Sequence, residues 1–292
     1  MQPSNANKQR HIQCPWGKPD ADSSSWRPVL LPQPGRPRTE LLSFPGSGNS
    51  WVRHLIETLT GYRTNSIYHC NKKNYPPEIA ADCNKWNVSI VTKSHIFSCT
   101  AAWDRALLLL RHPLHAIRAE YQRANTWNQT ALVNEQHWDW EDWYKKLEKN
   151  CRRWTKDYAA VLGSPASFPS SSSSSSSPGS PAGDATGCAA LANRTTHVFF
   201  YEDLKDSAGE LNNHFLDQLL LLLGIERQAA FYECARAFPE GRFKRSYPQD
   251  GSHPAVQVLT DARSQQTVAS AGCLDAYNAY RAAYPRLLPL PS

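Results

Sequence analysis

Three short groups of residues in this chain could do chemistry together. The first is Gly46-Ser47-Gly48-Asn49-Ser50-Trp51, a glycine-rich turn between an apolar run and an amphipathic segment. Glycines let a backbone approach an anion closely, and the first turn of a helix offers unpaired N–H groups and a partial positive charge. Ser47, Asn49 and Ser50 add side-chain donors at the same place. Such a turn reads as a phosphate cradle, although the same composition also serves ordinary strand-to-helix turns. The second group is Lys93-Ser94-His95, a cation beside a titratable imidazole. The third is Arg111-His112-Pro113, whose guanidinium can grip a phosphate in two places. A solvated lysine and a structural histidine are the plainer readings of the second group taken alone. An ATPase loop would carry a lysine before the hydroxyl residue in the pattern G-x-x-x-x-G-K-[ST]. Here Gly48-Asn49-Ser50 stands at that place, so the pattern is not met.

The elements that must position these groups can be read from periodicity. Glu40 to Phe44 is a short apolar run ended by Pro45 and suits a buried strand. Trp51, Val52, Leu55, Ile56 and Leu59 share one helical face, and Gly61 stands where a left-handed C-cap belongs. Tyr62 to Lys85 has no clear period. Val88 to Thr92 predicts a second strand running directly into Lys93. Ala106 to Leu110 predicts a third strand, apolar throughout as in a parallel sheet covered on both faces, and ends at Arg111. Leu114 to Arg123 follows as a helix. Trp140, Trp143, Tyr144, Leu147, Cys151, Trp154, Tyr158 and Val161 mark one face of a long helix over 138–162, better spent on core packing than on a ligand. His197 to Tyr201 predicts a fourth strand. Helices follow over 211–224, 228–237 and 275–284, with a basic loop at Gly241-Arg242-Phe243-Lys244-Arg245 in between. The fold class is α/β, a parallel sheet flanked by helices. Cations at the carboxyl ends of two strands lie where open sheets of this kind bind ligands.

Residues 1–38 are rich in Pro, Ser and basic side chains and predict a mobile lead-in. The domain then covers 39–286, with a serine-rich insertion at 163–187 whose composition cannot offset the entropy of ordering.

At 292 residues and a net charge of +6, the chain has no dense basic run, which argues against a nucleic-acid partner and suits a small polyanion better. Its eight cysteines include no C-x-x-C pair, and no carboxylate cluster suggests a metal. Sequons at Asn87, Asn128 and Asn193 favour a secretory compartment such as the Golgi lumen, with a glycoprotein product. No apolar run of membrane length opens the chain, so membrane attachment would need an N-terminal anchor outside this sequence. A cytoplasmic protein is the alternative.

In this order the motifs resemble the sulfotransferase family, which takes sulfuryl groups from 3′-phosphoadenosine 5′-phosphosulfate (PAPS). Ser43-Phe44-Pro45-Gly46-Ser47-Gly48-Asn49-Ser50-Trp51 resembles its 5′-phosphosulfate loop and Lys93-Ser94-His95 its Lys-Thr-His motif. Arg111-His112-Pro113 resembles the Arg-Asn-Pro that opens its 3′-phosphate site, and Tyr201-Glu202-Asp203-Leu204 its Tyr-Glu-Asp-Leu corner. Within the family, the WSC-domain-containing sulfotransferases are the nearest look, through the loop, the Arg53-His54-Leu55-Ile56-Glu57 that follows it, and Ala119 to Arg123. The likeness runs over about 40–245. It implies a P-loop-like architecture and transfer of sulfuryl from PAPS to a hydroxyl, with a glycan, sialylated ones included, as acceptor. His95 is the implied base and Lys93 its catalytic partner. The loop residues Gly46 to Trp51, with Arg111 and then Lys244 or Arg245, are the implied donor site. Two positions depart from the broader family: Gly46 stands where a lysine is usual, and Ala119 where a serine helps hold the 3′-phosphate. Lys93 or Arg53 would have to supply the missing cation. A catalytically inactive glycan-binding relative and a P-loop nucleotide kinase are the competing readings.

Overall fold

The computed structural model describes Cys14 and residues 35–68, 89–97, 103–128, 130–164, 195–239, 247–248 and 251–284. Five strands form one sheet: β1 (Thr39–Ser43), β2 (Asn65–Ser66), β3 (Thr92–Ser94), β4 (Arg105–Leu110) and β5 (Thr195–Phe200). All pair in parallel, in the order β2-β3-β1-β4-β5. The architecture is the expected α/β one, with P-loop-like strand order. β1 lies centrally, and the chain leaves it toward β2 and β3 before crossing back to β4. Ligands in open sheets of this type bind where such a reversal opens the carboxyl edge.

Helices cover both faces. On one, α1 (Asn49–Thr60) puts Trp51, Val52, Leu55, Ile56 and Leu59 against Leu41, Leu107 and Leu109, joined by α4 (Asn213–Leu223) and α5 (Ala229–Ala237). On the other, α2 (Pro113–Thr126), α3 (Trp140–Leu162), α7 (Ala262–Ser270) and α8 (Cys273–Ala283) enclose Leu42, Phe44, Leu108 and Leu110. The alternation of strand side chains therefore feeds two separate cores. Trp143 and Trp154 are fully buried, so the tryptophan face of α3 is core. α1 ends as expected: Gly61 has φ 68° and its N–H caps the Glu57 carbonyl.

Strand limits differ at the edges. The strand expected over 88–92 is ladder-bonded only over Thr92–Ser94, and the interval after Tyr62 contains the edge strand β2. Two residues of β2 are too short to show a period. α7 and the helical turn α6 (Pro254–Gln257) also escape the pattern. Among the described residues two disulfides, Cys14–Cys234 and Cys151–Cys273, are formed, the second joining α3 to α8. The lead-in other than Cys14 and residues 35–38, the serine run, and the basic loop with Lys244 and Arg245 lie outside the described residues. Among the described residues, no helix is long and apolar enough to cross a membrane.

Candidate active site at the carboxyl edge of the sheet

The turn from β1 into α1 is built to leave its amides open. Ser47 N–H closes the turn on the Phe44 carbonyl (3.1 Å), and the Gly48 carbonyl accepts from Trp51 and Val52. The N–H groups of Gly48, Asn49 and Ser50 meet no acceptor among the described residues. They are the first-turn donors that favour an anion. The Tyr158 hydroxyl of α3 fixes the turn from below, accepting from Phe44 N–H (3.0 Å) and donating to the Leu109 carbonyl (2.7 Å).

One part of the cradle must be corrected. Asn49 offers no side-chain donor upward, because its Nδ2 is spent on the Leu41 carbonyl and the Ser43 hydroxyl, both at 3.0 Å. Ser47 is fully buried beside Tyr158. Asn49 holds the turn in shape, while the buried Ser47 hydroxyl has no hydrogen-bond partner among the described residues. The open donors of the turn are the amides, with the half-buried Ser50 as a further hydroxyl. Trp51 packs in the core, and its indole N–H donates to the Pro239 carbonyl.

Both glycines are required, for different reasons. Gly46 has φ +82°, and a Cβ there would stand 2.1 Å from the Ala116 carbonyl oxygen of α2. Gly48 has φ +91°, and a Cβ there would enter the Tyr201 ring at 2.3 Å. The close approach of α2 explains why position 46 carries no lysine. Gly46→Ala should destabilise the protein by about 2–4 kcal/mol, combining left-handed strain with overlap against backbone. Thermal unfolding would show it, and an unchanged midpoint would mean α2 does not hold this distance.

The other two groups meet this turn at either end. His95 follows β3, and its Nδ1 lies 2.5 Å from the Ser43 carbonyl oxygen. A carbonyl can only accept, so Nδ1 carries the proton and Nε2 is left as the basic nitrogen. The His95 backbone N–H donates to the Tyr68 hydroxyl (2.7 Å), and the two rings stack at 5.4 Å. Arg111, at the tip of β4, donates from a terminal nitrogen to the Gly46 carbonyl (2.8 Å) and lies 4.0 Å over the Tyr201 ring. Its Nε is buried and has no partner among the described residues.

Cations converge on His95. Lys93 shares its surroundings with Arg53 of α1 and with Arg123 and Glu120 of α2. Burial, reinforced by Arg53 and Arg123, brings the Lys93 ammonium down to about 8. Burial and then Lys93 push the His95 imidazole down to about 3, with Arg153 and Arg123 adding to the effect and the Ser43 carbonyl opposing it. His95 is therefore neutral at physiological pH. Arg53 is turned toward Thr64, bonding its hydroxyl at 2.7 Å. Of the two candidates for the missing loop cation, Arg53 is engaged by Thr64, and Lys93 is the one that acts on His95.

The Tyr201-Glu202-Asp203-Leu204 corner acts as a clamp. Glu202 accepts from His112 N–H and from the Tyr277 hydroxyl, both at 2.9 Å, and Asp203 pairs with Arg281 at 2.6 Å. The loop carrying Arg111 is thereby tied to α8. Reading by motif missed Arg123, Arg153, Tyr68 and the platform role of Tyr201, all contributed from distant segments. Spacing gives no sign of them.

No family model matches this chain. Curated relatives do. A protein of Aedes aegypti is 39% identical over 94 residues, which are 30% of this chain and 28% of the relative. Proteins of Drosophila melanogaster and Drosophila pseudoobscura pseudoobscura are each 40% identical over 88 residues, covering 29% of this chain and 27% of theirs. All three are WSCD family members. The chain thus spans little more than a quarter of the length of the curated relatives it matches.

Proposed function

We propose that this chain is a PAPS-dependent sulfotransferase acting on a hydroxyl of a glycan, with sialylated glycans among its acceptors. The observation that carries the reading is that His95 and Arg111 are each bonded to the backbone of the same glycine turn, at Ser43 and Gly46. Its likeness to WSCD family members supports it, given the resemblance of the motifs to sulfotransferases. The site fits a bisphosphorylated nucleotide: open amides, a lysine and an arginine with an unspent donor surround one turn.

PAPS, when bound, supplies the sulfuryl group. The amides of Gly48, Asn49 and Ser50 and the Lys93 ammonium would hold its 5′-phosphosulfate, where fixed donors act on charge as it develops. Arg111 would hold the 3′-phosphate, backed by Tyr201. His95 Nε2 would take the proton from the acceptor hydroxyl, with Nδ1–H anchored on Ser43 to keep the ring oriented. Tyr68, 44% exposed beside His95, and the Arg153 and Arg123 guanidiniums offer a ring face and positive charge to an acceptor sugar. The disulfides Cys14–Cys234 and Cys151–Cys273 and the exposed Asn128, whose amide oxygen accepts from the Thr130 hydroxyl of its sequon, support a lumenal, glycosylated protein.

Labelled PAPS offered with a glycan panel tests the activity. Sulfate on a glycan is expected. Bisphosphate binding without transfer to any acceptor would favour a glycan-binding relative without catalysis. Magnesium-dependent turnover of ATP would favour a kinase.

The lysine gives a pH signature. An anion binds best to charged Lys93, so affinity for adenosine 3′,5′-bisphosphate should be level below about pH 8 and fall above it. The limiting slope is about tenfold per pH unit for one linked proton. Titration calorimetry across this range checks it. Lys93→Met should flatten the profile, and a wild-type profile flat to about pH 9.5 would remove Lys93 from the donor site.

A further inference from the structure

Two large apolar side chains stand in the open beside His95: Tyr68 is 44% exposed and Ile96 is 54% exposed. Exposed apolar side chains scattered singly are ordinary. A pair flanking a candidate base marks a surface on which a ligand packs.

The edge of the sheet holds both in place. β2 and β3 pair in parallel with Ser66 opposite Lys93, so two residues further on Tyr68 stands level with His95. Ile67 N–H donates to the Lys93 carbonyl (3.2 Å) and keeps that register past the strand end. The Tyr68 hydroxyl accepts from His95 N–H (2.7 Å), and the two rings stack with centroids 5.4 Å apart and planes inclined by 29°. One side chain thus grips both the backbone and the ring of His95. Beyond it, Ile96 N–H donates to Ser94 Oγ (3.0 Å), and Phe97 turns back to pack on Tyr158. Ile96 is left facing outward between them.

We propose that Tyr68 and Ile96 form the subsite for the acceptor sugar, and that Tyr68 is also the positioning residue that keeps His95 turned toward it. The occupant follows from what these side chains offer. His95 Nε2 calls for a hydroxyl, while Tyr68 and Ile96 present apolar surface. A pyranose carries both in one rigid body, a face of C–H groups and a rim of hydroxyls. With that face on Tyr68 and Ile96, a rim hydroxyl comes to the imidazole. The proton transfer at His95 rests on the function proposed above; sugar binding on this surface and the orientation of the ring do not.

Tyr68 adds a restraint that Ser43 alone does not give. The Ser43 carbonyl holds Nδ1 at 2.5 Å and so fixes one edge of the imidazole. The stack on Tyr68 fixes its plane. Without the stack the ring is free to turn about its Cβ–Cγ bond, and Nε2 leaves the line to the acceptor hydroxyl.

The test compares Tyr68→Phe, Tyr68→Leu and Ile96→Ser, with sialyllactose as the probe. Sialyllactose is titrated into protein saturated with adenosine 3′,5′-bisphosphate, and then serves as acceptor in transfer. Ile96→Ser should raise its Kd and KM by about three- to tenfold and leave kcat within about twofold. Tyr68→Leu should raise both constants by about tenfold and lower kcat by about ten- to a hundredfold, as for a base displaced on the ångström scale. Tyr68→Phe keeps the ring, so sialyllactose affinity should stay within about twofold while kcat falls less than in the leucine variant. Bisphosphate affinity should stay within about twofold in all three, since none of these side chains is assigned to the donor. The ring nitrogen spectrum of His95 should show the Nδ1–H tautomer in the wild type and a mixture in Tyr68→Leu.

Unchanged sialyllactose affinity in both Ile96→Ser and Tyr68→Leu would overturn the subsite, as would no binding of sialyllactose to the wild type. Transfer to a simple phenol that responds to these variants while sialyllactose does not would give the surface to an aromatic acceptor and overturn it too. A wild-type nitrogen spectrum in Tyr68→Leu would overturn the positioning. If wild-type protein transfers no sulfuryl group, the functional reading fails, and the sialyllactose titrations and nitrogen spectra still decide this proposal.

Discussion

His95→Ala should lower sulfuryl transfer by about 10²–10⁴-fold, the usual contribution of a positioned base, while leaving adenosine 3′,5′-bisphosphate affinity within about twofold. The geometry separates the two quantities. The imidazole is fixed through Nδ1 on the Ser43 carbonyl, and the donor is assigned to amides further along the turn and to Arg111. Losing the ring removes a proton acceptor without removing a positive charge. The imidazole at about 3 bears on pH. A group depressed so far is deprotonated at every pH above about 4, so in the free protein acidification to pH 5 should not switch the base off. So low a value would make a poor base by itself. However, after burial, the depression comes from Lys93, then from Arg153 and Arg123, and these cations are the ones an anionic donor would neutralise. Donor binding should therefore raise the imidazole toward the range where a base is effective. Rates under saturating donor, with bisphosphate calorimetry on the same preparations, check the prediction. Undiminished transfer by the alanine variant would remove His95 from the base role.

Arg111→Ala should weaken adenosine 3′,5′-bisphosphate binding by about 2–4 kcal/mol, the range for truncating a buried, hydrogen-bonded charge at an interface. Arg111 also bonds the Gly46 carbonyl, so part of any loss could come from a slackened turn. Adenosine 5′-monophosphate separates the two effects. If Arg111 holds the 3′-phosphate, the variant should bind the monophosphate about as well as wild type does. Arg111→Lys should not restore bisphosphate binding, because a point charge cannot reproduce the planar fork or its stacking on Tyr201. Equal weakening toward both nucleotides would make Arg111 a support of the turn alone.

The parts of this fold that sequence makes legible are those where one local rule suffices. Leu107 to Leu110 in β4 could only be a buried strand, and Gly61 could only end α1 by adopting φ > 0. The tryptophan spacing of α3 likewise fixed its buried face. The glycine turn was legible as a cradle, yet not in which of its groups face outward. Asn49 looks like a ligand donor in sequence, and only the fold of the turn from β1 into α1 shows its amide to be occupied by Leu41 and Ser43. Gly46 looked like a missing lysine. The Ala116 carbonyl shows it to be a packing requirement, which no local pattern encodes because the contact joins residues of different elements. Arg153 reaches the site from a helix distant in sequence and carries no motif, and Arg123, inside the Ala119 to Arg123 likeness, gave no sign there of a place beside His95.

The most direct test of the whole account is calorimetric titration of the wild-type protein, without added metal, comparing adenosine 3′,5′-bisphosphate with adenosine 5′-monophosphate and with ATP. The account predicts one site that prefers the bisphosphate over the monophosphate by at least about tenfold, or about 1.4 kcal/mol. No binding of the bisphosphate, or a preference for ATP that depends on magnesium, would contradict it.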